Sequence, residues 1–445
     1  MDTDDGAELA VVDSFYRAFE DRYRVSRELI KGRLAKLSCR RAARGNAAGR
    51  YTALDVQRGA WVKVGFGTTA LARSIAHGGV DGIGSYTQEL GRALLAGGGI
   101  DLVPAGYRAF VGDDVLPGAR PPVNLGRHAV MATLGAVSPW KCVAERELVT
   151  EQVDVFHATD HLIPKLSAMP VIATLMDAIP LSNPEWTTVK LAALRRWLLR
   201  RSGAWADHVI TISEYSKNSI VEHFGIAAER ISVVPLGVHP RFFEQFDGTT
   251  RDEVLKRLGL PAQFFLCVGT LQPRKNLDRV IDAHASLPAD LRREFPLVVV
   301  GRAGWGCESL VARLRASETE GSARWLQYLP DLDVRALMQS ASALVFASLG
   351  EGFGLPVVEA FASGLLVIAS NTTSVPEVAA DAAILVDPCN AGDIADAMRL
   401  VTEHPREADA LREAGLARAR ELTWQACAEK TVAVYRSVLD GSCRS

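Results

Sequence analysis

A four-residue apolar run, Ala343-Leu344-Val345-Phe346, reads as a buried strand and stops just short of the turn Leu349-Gly350-Glu351-Gly352-Phe353-Gly354-Leu355. A short apolar helix is expected from Pro356, because proline suits the first helical position, where its missing N–H costs nothing. Gly352 and Gly354 let the backbone approach a ligand closely. The amides of Phe353, Gly354 and Leu355 would then point, with the helix dipole, at an anion. Two carboxylates flank this turn eight positions apart, Glu351 and Glu359. Glu359 is expected in the first helical turn, where a carboxylate accepts two hydrogen bonds from a vicinal diol such as a ribose. Amides for phosphate and a carboxylate for a diol describe a nucleotide site.

The rest of the chain supplies the setting. With 445 residues, two core-bearing domains are expected. Strand-like runs at Trp61–Phe66, Val153–His157, Val171–Leu175, His208–Ile212, Phe264–Gly269, Leu297–Val300 and Trp325–Tyr328 alternate with helical segments, so the fold class is α/β with parallel sheets. A net charge of −2 gives no global reason to expect nucleic acid as a partner. No apolar run reaches membrane-spanning length, and M-D-T-D-D lacks the order of a signal peptide, so a cytoplasmic location is expected. The seven cysteines are scattered without metal-site spacing and read as reduced thiols.

Residues 1–58 differ from the remainder. Ten basic residues between Arg22 and Arg50 face Glu28 alone, and apolar residues recur among them at loosely helical spacing. A basic amphipathic helix on anionic lipid, a partner-binding arm and a poorly ordered extension all fit this segment.

Two glycine loops open the first domain. Gly65-Phe66-Gly67-Thr68-Thr69-Ala70 formally fits a dinucleotide fingerprint, but His77-Gly78-Gly79 breaks the chain where a helix should run, and no acid follows at the proper distance. A nicotinamide-dependent oxidoreductase is the alternative reading this loop leaves. Gly79 to Tyr86 is the second loop, leading into a helix expected over Thr87–Ala96 as an anion cradle. Ligands of open α/β sheets gather beyond the carboxyl ends of strands, so His157 and the Met176-Asp177 tip are site candidates. Pro330-Asp331-Leu332-Asp333 matches a metal-binding D-x-D, but it precedes a helical run, where N-cap duty explains the acids.

The E-G-F-G-L-P-V-V-E-A stretch resembles the E-x7-E signature of retaining glycosyltransferases with the GT-B fold, in particular glycosyltransferase family 4, nearly letter by letter. The resemblance covers roughly residues 60–440. It implies two Rossmann-like domains facing each other across a cleft, an acceptor-side domain at 59–240 and a nucleotide-sugar domain at 241–425. A last helix at 426–445 would cross back to the first domain.

By the same resemblance Glu359 would hold the ribose and Glu351 the donor sugar's hydroxyls. Arg274 and Lys275, within G-T-L-Q-P-R-K-N, would hold the diphosphate together with Phe353, Gly354, Leu355 and Gly84. Many family members carry a further arginine shortly after the strand glycine; Thr270 stands there in this chain, which puts more weight on Arg274. Gly82, Tyr86 and Asp177 would lie on the acceptor side. His157 would approach the reacting sugar and join Glu351 and Lys275 in catalysis, with His161 as its neighbouring contender; the histidine of the family's next motif is replaced by Met176. No metal and no cofactor are implied beyond a nucleotide-sugar co-substrate. The G-T-L-Q-P-R-K-N and E-G-F-G-L-P forms resemble those of bacterial polysaccharide mannosyltransferases. That suggests GDP-mannose as donor, a lipid-linked saccharide as acceptor and peripheral contact with an anionic membrane. A UDP-sugar is the alternative donor.

Overall fold

The computed structural model describes residues 61–441, apart from 77–80, 187–191, 404 and all of 108–144 but 116, 119, 122–127, 132, 135 and 136. The basic segment at 1–58 lies outside the described residues, as does most of the glycine loop before Asp81.

Two all-parallel sheets carry the fold. The first has seven strands, β1 (Val62–Gly67), β2 (Ile100–Gly106), β3 (Val123–Asn124), β4 (Val155–Ala158), β5 (Val171–Thr174), β6 (His208–Thr211) and β7 (Ile231–Val233), in the order β3-β2-β1-β4-β5-β6-β7. The second has six, β8 (Phe265–Val268), β9 (Leu297–Val300), β10 (Ala323–Leu326), β11 (Ala343–Phe346), β12 (Val367–Ser370) and β13 (Ile384–Val386), in the order β10-β9-β8-β11-β12-β13. Both orders reverse direction once, the doubly wound arrangement expected of Rossmann-like domains. Strands such as β4, β9, β11 and β12 are buried along their whole length, as parallel strands covered on both faces must be.

Five helices bear on function: α1 (Gly82–Gly97), α2 (Glu214–Phe224), α3 (Leu355–Ala362), α4 (Val375–Ala379) and α5 (Trp424–Leu439). The last of these packs beside α1, with the Trp424 and Tyr86 rings 6.3 Å apart. Just before it the chain passes 237–238 so closely that a Cβ on Gly237 would sit 2.1 Å from the Trp424 nitrogen, and the Val238 N–H donates to the Leu422 carbonyl at 2.9 Å. Only glycine fits that crossing. One continuous apolar core runs from Phe66, Leu90 and Ile172 of the first sheet's layers to Phe346, Val357 and Phe361 of the second's.

The first glycine loop has a packing explanation. A Cβ on Gly65 would lie 2.7 Å from the Phe156 ring, and one on Gly67 would press on the backbone of β4 at 3.2–3.3 Å. These glycines let β1 and β4 lie together; a helix, Thr69–Ala76, does follow at once, contrary to the expected break, because His77-Gly78-Gly79 comes only after that helix has ended. The second helix starts earlier than expected, at Gly82, because Asp81 caps it.

Candidate active site

The second sheet's direction reverses between β8 and β11, and the two motifs leave from the carboxyl ends of those two strands. After β8, Pro273–Lys275 forms a 3-10 turn closed by Asn276 in the left-handed region at φ 58°. The Asn276 amide donates to the carbonyls of Ala347 (2.9 Å) and Pro388 (2.7 Å), which ties this turn to the loop after β11. Asparagine tolerates that conformation better than most residues. The P-R-K-N run carried this signal, although Asn276 was not among the expected site residues.

Glu351 sits between both cations. Its Oε2 accepts from Arg274 Nη1 at 2.9 Å and its Oε1 from Lys275 Nζ at 2.6 Å. Arg274 also donates to the Gly350 carbonyl at 2.9 Å, and the Lys275 ammonium lies 4.8 Å from the Phe346 ring centroid. Burial raises the Glu351 carboxyl's pKa, but Lys275 and Arg274 outweigh it and hold it below the usual carboxylate value. Burial pushes the Lys275 ammonium down, and Glu351 opposes this only in part. The two cations expected on a diphosphate are therefore held by the neighbouring carboxylate.

The helix α3 begins at Leu355, with Gly354 as its N-cap at φ 100° and Pro356 in its first turn. Among the described hydrogen bonds, none engages the N–H groups of Phe353, Gly354 or Leu355. Glu359 stands at the start of the second turn, not in the first as its spacing suggested, because the helix includes Leu355 ahead of Pro356. It is half-buried, and no described hydrogen bond reaches its carboxylate. Burial raises its pKa to about 7, against a smaller lowering by Arg241 and a further rise from Asp331.

Across from this loop the first sheet's strand tips close a cavity of about 230 Å³ whose lining includes Ile83, His161, Met176, Asp177, Arg195 and Arg274. Gly352 packs against it: a Cβ there would lie 2.8 Å from the Met176 carbonyl oxygen. The Asp177 carboxylate accepts from the Ile179 N–H at 2.9 Å, and burial raises its pKa. Burial, helped by Arg195 and Arg73, lowers His161 to about 4.

Three expected residues lie elsewhere. His157 has no exposed surface; its Nδ1 pairs with the Tyr435 hydroxyl and its Nε2 with Thr174 Oγ1, each at 2.7 Å. Burial lowers its pKa to about 3. It is a core histidine, since the helix α5 lies over it, and His161 lines the cavity instead. Tyr86 is also buried, its hydroxyl 2.8 Å from Thr174 Oγ1, so it does not present an acceptor surface. Gly84 spends its N–H on the Asp81 carboxylate at 2.8 Å, which removes it from the anion cradle. Gly82 remains at the start of α1, with nothing among the described residues within 4 Å of where a Cβ would be.

The D-x-D acids are engaged in ion pairs. Asp331 pairs with Arg241 (3.1 Å) and Arg335 (3.4 Å), and Asp333 with Arg257 (2.6 Å). Pairing, not the expected N-capping, explains them, since Pro330 occupies the cap.

The family model of glycosyl transferases group 1 matches residues 251–418, and that of glycosyltransferase family 4 matches residues 80–242. The O-antigen chain mannosyltransferase B of Escherichia coli is 30% identical over 287 residues, 63% of this chain and 74% of that protein. The serotype-specific mannosyltransferase WbdA of Escherichia coli is 30% identical over 281 residues, 60% of this chain; the match spans only 33% of that longer protein. Among solved structures, Anabaena HepE in complex with UDP superposes with a TM-score of 0.63 at 17% identity, covering 84% of this chain and 100% of that one. The matched motifs and the paired doubly wound sheets agree: the chain is a glycosyltransferase of the GT-B fold and belongs to glycosyltransferase family 4.

Proposed function

We propose that the protein transfers a hexose, mannose from GDP-mannose in the first instance, to a hydroxyl of a lipid-linked saccharide, with retention of configuration, in the synthesis of a bacterial surface polysaccharide. The observation that carries this reading is the juxtaposition of two half-buried cations with three amides and a carboxylate that no described hydrogen bond engages, at one reversal point of the second sheet. On donor binding, Arg274 and Lys275 share their charge between Glu351 and the diphosphate. The amides of Phe353 to Leu355 add the positive end of α3, so charge developing on the departing nucleoside diphosphate meets fixed dipoles and cations. This arrangement calls for no metal and no further cofactor. Glu351 then orients the sugar hydroxyls, and His161, neutral at physiological pH, is the histidine beside the reacting carbon. Mannose is favoured by the two mannosyltransferase relatives; a UDP-sugar is the second reading, favoured by the fold shared with HepE.

Glu359 tests the nucleotide half of the proposal. If its carboxylate accepts from the ribose, Glu359→Gln weakens nucleoside diphosphate binding by about 1.5–3 kcal/mol, the value of a hydrogen bond to a charged group. Calorimetric affinity equal to the wild type's would remove Glu359 from that role. The same variant carries a pH signature. A carboxyl whose folded pKa is raised from 4.5 to about 7 contributes its full stability below the lower value and loses it as pH rises through the higher. Glu359→Gln is thus expected to raise the melting temperature at pH 8 and leave it nearly unchanged at pH 4.

A lipid-linked acceptor requires the cleft to reach a bilayer. Among the described residues no helix is long and apolar enough to cross one. Basic side chains along 192–203 join the basic segment at 1–58 as the proposed contact with the inner face of the plasma membrane. Each such residue near an anionic surface is worth roughly 1 kcal/mol. The full chain should co-sediment with anionic vesicles at low salt and lose them in high salt; binding to neither anionic nor neutral vesicles would end this part of the proposal.

A further inference from the structure

The first sheet holds the diphosphate-facing loop of the second through one carbonyl. Ser213 caps α2, its Oγ accepting from the Ser216 N–H at 3.0 Å. The same hydroxyl donates to the Gly352 carbonyl at 2.8 Å, and the Ser216 hydroxyl donates to that carbonyl at 3.2 Å. Both serines are fully buried, 139 and 136 residues away from the glycine they hold. Two donors on one carbonyl use both of its lone pairs.

The loop's other side is fixed as well. Ser374, at the start of α4, donates to the Glu351 carbonyl at 2.9 Å, and Arg274 holds the carbonyl of Gly350. Three consecutive carbonyls are therefore pinned. A second contact across the cleft joins the same helices: the Glu377 carboxylate of α4 accepts from the N–H groups of Glu214 (2.9 and 3.0 Å) and Tyr215 (3.3 Å) at the start of α2.

A peptide unit is planar, with its C=O and N–H antiparallel. Fixing the Gly352 carbonyl therefore fixes the direction of the Phe353 N–H, the first of the three amides assigned to the diphosphate. Glycine at 352 would otherwise leave that plane free to rotate. We propose that Ser213 and Ser216 are positioning residues: the acceptor-side sheet sets the aim of a donor-side amide, so that full donor affinity requires the cleft to be closed by the α2 clasp. The inference rests on the nucleotide-binding reading given above. It assigns a donor-binding role to two residues of the first sheet's helix layer, acting through the Gly352 carbonyl.

The test uses the full chain and three variants, Ser216→Ala, the double Ser213→Ala/Ser216→Ala, and Glu377→Gln, titrated with GDP and UDP and assayed for donor turnover. Ser216→Ala leaves the α2 cap intact and is expected to weaken nucleoside diphosphate binding about threefold. The double variant is expected to weaken it about tenfold, the size of one lost buried hydrogen bond. Donor KM should rise in step, while kcat at saturating donor stays within about twofold. Glu377→Gln keeps one acceptor for α2, and no described hydrogen bond links this side chain to the loop, so an affinity loss of about threefold with an unchanged fold would support the clasp independently. Nucleotide affinity and donor KM unchanged in the double variant, or kcat falling with affinity intact, would overturn the inference alone. If the wild type binds neither GDP nor UDP, the nucleotide-site reading fails and takes this inference with it.

Discussion

Glu351→Gln is expected to cost about 3 kcal/mol of folding stability and to abolish most transfer. The substitution keeps the shape of the side chain and removes the one charge that faces both Arg274 and Lys275. Breaking a buried ion pair by removing one partner costs about 3–5 kcal/mol, because the remaining charge is left uncompensated. The lower end applies here, since the Arg274 and Lys275 side chains are 24% and 18% exposed and can recruit water. The pH dependence follows from the lowered carboxyl. Its contribution is present above the ordinary value of 4.5 and is lost as pH falls through the lower folded value, so wild type and variant should converge in acid. Denaturant unfolding at pH 7 and below pH 4 measures this. Equal stability at pH 7 would mean that the triad is not electrostatically coupled.

His157→Ala is the second large effect, and its sign separates a structural histidine from a catalytic one. The side chain is fully buried, and its removal strands the Tyr435 hydroxyl and opens a cavity against Phe66, whose ring lies 5.7 Å away edge-on. Lost hydrogen bonds and an unfilled core cavity together cost about 3–5 kcal/mol. The histidine's depressed pKa gives a second signature. Its stabilising contribution is present above its ordinary value of 6.5 and fades as pH falls toward about 3, so the wild type itself should lose stability over that window. The variant should melt much earlier while its folded fraction turns over donor at a rate close to normal. A stably folded His157→Ala protein with turnover reduced a hundredfold would return this residue to the reaction.

What could be read in advance followed the locality of the physics. The stretch from Glu351 to Glu359 carries its own turn, cap and helix, so its strand–turn–helix form and its glycines were legible without the rest of the chain. Arg274 and Lys275 arrive beside Glu351 because β8 and β11 are neighbours, which the alternation of strands and helices implied in class, though not in register. His157 failed for the opposite reason. Its place at the end of β4 suggested the cleft, but Tyr435, 278 residues later, covers it and completes its hydrogen bonds. The Ser213–Gly352 contact spans 139 residues, and nothing in S-E-Y-S-K distinguishes a serine that only caps its helix from one that also reaches across a cleft. The Asp81 cap was missed, although aspartate is a favoured N-cap residue and V-D-G-I-G carries one. The glycines after it instead suggested a cradle, and Gly84 was assigned to phosphate in place of the cap it completes.

The central claim is tested most directly by incubating the full chain with a panel of GDP- and UDP-hexoses in excess chelator, and following donor consumption and the anomeric configuration of the product. The account predicts turnover of one donor, GDP-mannose ahead of the others, insensitive to chelator and with the donor's configuration retained. Consumption of no donor in the panel, or turnover that disappears with chelator and returns with Mg²⁺ or Mn²⁺, would contradict it.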